Sequence, residues 1–252
     1  MVTSTSAGPI AAGTEQDKRA ERRFFASYTI VIALIIVAGF APSFFLRGLM
    51  PPYVPLRPLP PELIAHGLLA ATFTLFFPLQ AWLIASGKRA VHVKLGNWGF
   101  ALGAAMLPAS YMVAAFTYNR VLPADPNFAA IVAGVALSAL PTLIVLLALG
   151  WRRRFDAQTH KRLMVVIICV LADPAIARLP LWGAPPLGFV VGQLAMLALL
   201  IPLWVWDFAR RGRPHWATVL GTLLYVFELT WRLPVITTPQ WRAFVAGLPG
   251  FG

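Results

Sequence analysis

Cysteine occurs once in this sequence, at Cys169, and acidic residues fill only 9 of its 252 positions. A single cysteine forms no internal disulfide, and no CxxC pair exists to hold zinc or a redox-active bridge. HExxH, the GxSxG elbow and a phosphate-binding glycine loop are missing too, which removes the sequence signals of zinc hydrolases, serine hydrolases and nucleotide-binding enzymes. Charge of either sign is scarce, at 12% of residues against 59% hydrophobic, with a mean hydropathy of +0.73. That balance excludes an ordinary soluble domain and points to a polytopic membrane protein.

What the sequence does have is long apolar runs. Crossing the hydrocarbon layer takes about 20 mainly apolar residues in a helix. Seven segments qualify, over residues 24–46, 62–86, 95–117, 128–150, 163–182, 186–208 and 216–236. The expected fold is all-α, a bundle of seven transmembrane helices within residues 24–236. Residues 1–23 are polar and lack the apolar core and cleavage site of a signal peptide, so they are expected as a flexible cytoplasmic tail. Residues 237–252 are expected as a short external tail.

The basic residues set the orientation, because cytoplasmic loops carry the excess of lysine and arginine. They gather in four places: Lys18, Arg19, Arg22 and Arg23; Lys88, Arg89 and Lys94; Arg152, Arg153, Arg154, Lys161 and Arg162; and Arg210, Arg211 and Arg213. These are 15 of the 21 basic residues. The N-terminus is thus expected inside, and seven spans place the C-terminus outside. Tryptophans agree, since indole rings favour the membrane interface: Trp82, Trp98, Trp151, Trp204, Trp206 and Trp216 fall near inner helix ends, Trp182 and Trp241 near outer ones. The net charge of +12 is then explained by attraction to anionic lipids at the cytoplasmic face. No nucleic-acid partner is implied, because the basic residues are split among short loops without a binding module.

Polar residues inside the bilayer are costly and mark function or pairing. His66 and Gln80 are fourteen apart in the second span, which returns them to nearly one helix face. Gly99 and Gly103 have GxxxG spacing, read as packing. In the fifth span Asp173 precedes Pro174, which suits a helix restart with Asp173 as cap and Pro174 at the first position, or alternatively a simple kink. Glu228 and Arg232 are four apart and can pair on one face. Asp173, Arg178, Glu228 and Arg232 are therefore expected as a buried charge network joined by His66, where each charge compensates another.

The series HGLLAATFTLFFPLQAWLIASGKRAVHVKLG, then HKRLM, then the arginine of PAIARLP resembles an uncharacterised family of bacterial multi-pass membrane proteins with spaced histidines, over residues 62–182. The resemblance marks His66, Gln80, His92, His160 and Arg178 and implies a bacterial inner membrane, without naming a substrate. His92 and His160 both fall at inner helix ends, so a single cytoplasmic-side haem b between them is one expectation; solvated interfacial histidines are the other. Three functions stay open: a membrane redox or haem-associated component, a transporter of a small solute or proton, and a noncatalytic assembly or interaction protein. Each would work with a small-molecule ligand or a membrane-protein partner.

Overall fold

The computed structural model describes residues 14–51, 58–179 and 187–252, with only the backbone described at 187–190. Residues 1–13 of the expected tail, residues 52–57 and Trp182 lie outside the described residues, as does the stretch from 180 to 186 on which the fifth expected span ends and the sixth begins. The described residues are helical, with no strand among them.

The helices are α1 (Glu15–Phe40), α2 (Pro61–Ala85), α3 (Arg89–Val121), α4 (Pro126–Arg152), α5 (Ala157–Leu171), α6 (Asp173–Ile176), α7 (Leu187–Ala198), α8 (Ile201–Arg211), α9 (Trp216–Ile236) and α10 (Pro239–Ala246). Among the described residues, six helical segments are long and apolar enough to cross a membrane: Glu15–Phe45, Pro61–Ala85, Arg89–Val121, Pro126–Arg152, Val191–Arg211 and Trp216–Ile236. These support a multi-pass membrane protein.

Local chemistry explains the ends. Thr14 and Asp17 form a capping box that starts α1 within the stretch expected as a tail. At its far end Pro42 has no N–H to continue the ladder, and the chain widens into a π-helical turn over Ala41–Phe45. Asp125 caps α4 by accepting from Asn127 N–H at 2.9 Å and Phe128 N–H at 3.0 Å, with Pro126 at the first position. Asp156 caps α5 in the same way through Gln158 and Thr159. The Thr159 hydroxyl donates to the Asp156 carboxylate at 2.6 Å and holds it below the usual carboxylate range.

The fifth element departs most from expectation. With 15 residues α5 is too short to cross alone, at about 22 Å of rise against a hydrocarbon layer of about 30 Å. It stands in the centre, packed against α1, α2, α4 and α9. Leu163 and the residues from Val165 to Cys169 are at most 1% exposed, so it is buried on every side. An all-apolar circumference suits a helix with no lipid-facing side. Small residues around α5 and α6 allow this approach: Gly39 of α1 lies against the Ala175 backbone of α6, Gly150 of α4 against Met164 of α5, and Gly221 of α9 against Val166 of α5, in each case too close for a β-carbon. Gly99 and Gly103 likewise receive the rings of Phe76 and Phe73.

Ala172 interrupts the central helix, and α6 begins at Asp173. Asp173 thus occupies the first helical position rather than the cap, with Pro174 second, and its side chain caps nothing. The sixth expected span is interrupted as well, between α7 and α8, where Pro202 follows a turn at Leu199 and Leu200. The loosened Leu199 carbonyl accepts from the Tyr28 hydroxyl and, at 3.8 Å, from Cys169 Sγ. Residues 237–252, expected as a tail, instead form α10 and fold back. Trp241 Nε1 donates to the Ala130 carbonyl at 2.9 Å, and Phe251 packs its ring against Tyr111 and Tyr118.

Candidate functional site

Three groups of side chains carry chemistry. The first is at the arginine-rich end, where α3 and α5 each place a histidine in their first turn or just beyond it. The rings of His92 and His160 approach to 6.5 Å between centres at an interplanar angle of 78°. His92 Nδ1 sits 3.3 Å from the Gln80 carbonyl oxygen and His160 Nδ1 sits 3.2 Å from that of Gly150. A carbonyl can only accept, so each Nδ1 carries the proton and each Nε2 is left with its lone pair. Metal-bound histidines are commonly oriented in this manner. The Gln80 side chain has both its polar atoms buried and without a partner among the described residues.

The second group lies nearer the other end of the bundle. Using α1 as a ruler, Phe25 faces the Lys161 and Arg162 cations, while Gly39 meets Ala175. Asp173 is therefore close to the far end of α1. Arg232 Nη2 contacts Asp173 Oδ2 at 2.7 Å and also pairs with Glu228 Oε1. All three residues are at most 5% exposed. Their hydrogen bonding is incomplete: Glu228 Oε2, Arg232 Nε and the neighbouring Tyr225 hydroxyl are buried without partners. Thr142 of α4 stands beside Glu228.

Two residues expected here make no hydrogen bond or ion pair with these three among the described residues. Arg178 is exposed, donates to the Pro174 carbonyl and lies 4.7 Å over the Phe40 ring, with no ion pair among the described residues. His66 is half-buried, and its buried Nδ1 has no partner.

The third group escaped sequence reasoning. Arg162 of α5 and Asp207 of α8 are 1% and 0% exposed. Asp207 Oδ1 accepts from Arg162 Nε at 2.9 Å and from Nη2; its Oδ2 accepts from the His215 backbone N–H at 2.9 Å and the Thr218 hydroxyl at 2.6 Å. Arg162 Nη1 donates to the backbone and side-chain oxygens of Gln158, both at 2.8 Å. Burial lowers the basicity of His215, aided by the Arg162 charge, and its Nδ1 accepts from the Ala217 N–H at 3.1 Å. The signal was present: Asp207 is a lone acid in the apolar stretch before Arg210.

No family model, curated protein or solved structure matches this chain, so the sites rest on their own geometry. Among the described residues no three histidine, cysteine or carboxylate groups cluster to hold a metal ion.

Proposed function

We propose that this protein is a membrane redox component in which His92 and His160 would hold a haem b. The observation that carries this reading is the approach of two imidazoles to 6.5 Å with both Nδ1 atoms tied to backbone carbonyls. Neutral imidazoles can ligate haem iron, so His92 and His160 would hold the group, and it would supply one-electron redox chemistry. The resemblance to the spaced-histidine family is part of this proposal, since three of its marked positions, Gln80, His92 and His160, meet here.

The visible spectrum tests it. Protein purified from haem-sufficient cells is expected to show a Soret band that shifts on reduction, and His160→Ala and His92→Ala are each expected to remove it while the protein still elutes as a single species. A colourless wild-type preparation overturns the haem reading.

A second reading is favoured by the incomplete centre at Asp173, Glu228 and Arg232: movement of a proton or small polar solute through the bundle, where spare donors and acceptors would engage the cargo. An assembly or interaction protein is the outcome if neither haem nor cargo is found.

In either case we infer seven crossings, with the N-terminus cytoplasmic and the C-terminus periplasmic in a bacterial inner membrane. The start of α5 contacts Glu21 of α1 and the end of α6 contacts Gly39, so the broken pair runs alongside most of α1. In a Cys169→Ala background, cysteines at Ser6 and Gly252 are expected to be labelled from opposite sides; labelling from one side removes the seven-crossing topology.

A further inference from the structure

Helices α8 and α9 are linked by side chains. Two sets of polar bridges join them: Trp204 Nε1 donates to Thr222 Oγ1 at 2.9 Å, and Asp207 accepts from Thr218 and from the His215 backbone. Along these bridges runs an open apolar groove of about 700 Å³, lined by Leu200, Ile201, Trp204, Val205, Phe208 and Val226 among others. Ile201, Val205 and Phe208 are more than half exposed, so the groove is reached from the surrounding hydrocarbon.

The groove has a charged end. Gly212, at φ 67°, terminates α8 in the left-handed conformation and turns the chain into α9. At this turn Arg211, Arg213, His215 and Trp216 enclose a second, polar pocket of about 290 Å³. Trp204, Phe208 and Arg211 follow one another at spacings of four and three residues, so one stripe of α8 leads from groove to pocket. Arg153, from the turn before α5, lies 5.8 Å over the Trp216 ring and brings a third guanidinium.

Four acids of this end pair with cations, Glu15 with Lys18, Asp17 with Arg210, Glu21 with Lys161 and Asp207 with Arg162, while Asp156 caps α5 and its charge reaches His215. Arg153, Arg211 and Arg213 have no acidic partner among the described residues. Three spare guanidiniums at the end of a lipid-facing apolar groove complement an amphiphile with an anionic head. We propose that the α8–α9 seam binds one anionic phospholipid, its phosphate held by Arg211 and Arg213 and one acyl chain lying against Trp204, Val205 and Phe208. Arginine forks suit phosphate oxygens, and basic pockets between transmembrane helices are known to take such headgroups. This site is independent of the haem reading.

The test uses full-length delipidated protein, with phosphatidylglycerol, phosphatidylcholine and inorganic phosphate added separately and bound lipid counted by native mass spectrometry. One phosphatidylglycerol per chain is expected to be retained in preference to phosphatidylcholine. Arg211→Gln and Arg213→Gln, both at exposed positions, are each expected to weaken retention about fivefold, and about 30-fold together. Val205→Trp, which fills the groove and leaves every arginine in place, is expected to displace the lipid too. Equal retention of phosphatidylcholine overturns the proposal. So does competition by millimolar phosphate with no effect of Val205→Trp, which marks a plain anion pocket, or a dimer that occupies the seam in place of lipid.

Discussion

The bundle buries two charge clusters and finishes only one of them. At the arginine-rich end, each nitrogen of Arg162 and each oxygen of Asp207 has a partner, supplied by α5, α8, the following turn and α9. Toward the other end Arg232 holds Asp173 and Glu228, yet three polar atoms around it have none. A fully satisfied buried network rigidifies the elements it joins, whereas a half-satisfied one carries a cost that structure alone does not repay. The first cluster is thus a fastener between the central helix and the α8–α9 turn. The second is left unfinished at the point where the central helix is broken.

This contrast is broken most directly at the fastener. Asp207→Asn leaves Arg162 buried without a compensating charge and sets an amide NH₂ among donors, a change expected to cost about 3–5 kcal/mol. Arg162→Met is expected to be similarly severe, while the double variant with Asp207→Leu should recover much of the loss, because neither charge is then stranded. Thermal unfolding in detergent measures this. Single variants that unfold like wild type would show that the cluster fastens nothing.

The two clusters were unequally visible in the sequence. Glu228 and Arg232 are four residues apart on one helix, a local spacing that places them together before any tertiary contact is known. Asp173 also announced itself through the following proline, although the restart falls one residue earlier than a cap would require. Arg162 and Asp207 are 45 residues apart, and their meeting depends on packing. Arg162 also sits in a run of basic residues that reads as a solvated loop. Apolar runs revealed most crossings by composition alone, but composition does not tell a lipid-facing helix from a central one, so the short reach and full burial of α5 were hidden. The fold-back at the C-terminus was signalled by Thr238 and Pro239, a cap followed by a proline at the first position. The meeting of His92 and His160 required the register of α3 against α5, which spacing does not contain.

The incomplete cluster gives the smaller and more discriminating effect. Glu228→Gln keeps an oxygen for Arg232, and Arg232 keeps Asp173 as its counter-charge, so no charge is stranded; Glu228 Oε2 has no bond to lose. The expected loss is about 1 kcal/mol, the size of one ordinary hydrogen bond and well below that of Asp207→Asn. Arg178→Gln, at an exposed side chain, is expected to fall within about 0.5 kcal/mol of wild type. If the centre handles a proton or polar solute, Glu228→Gln abolishes uptake into proteoliposomes with that small change in stability, since the carboxylate exchanges its proton and the amide does not. Unaltered uptake, or a stability loss as large as that of Asp207→Asn, would make this cluster a second fastener and erase the contrast between the two.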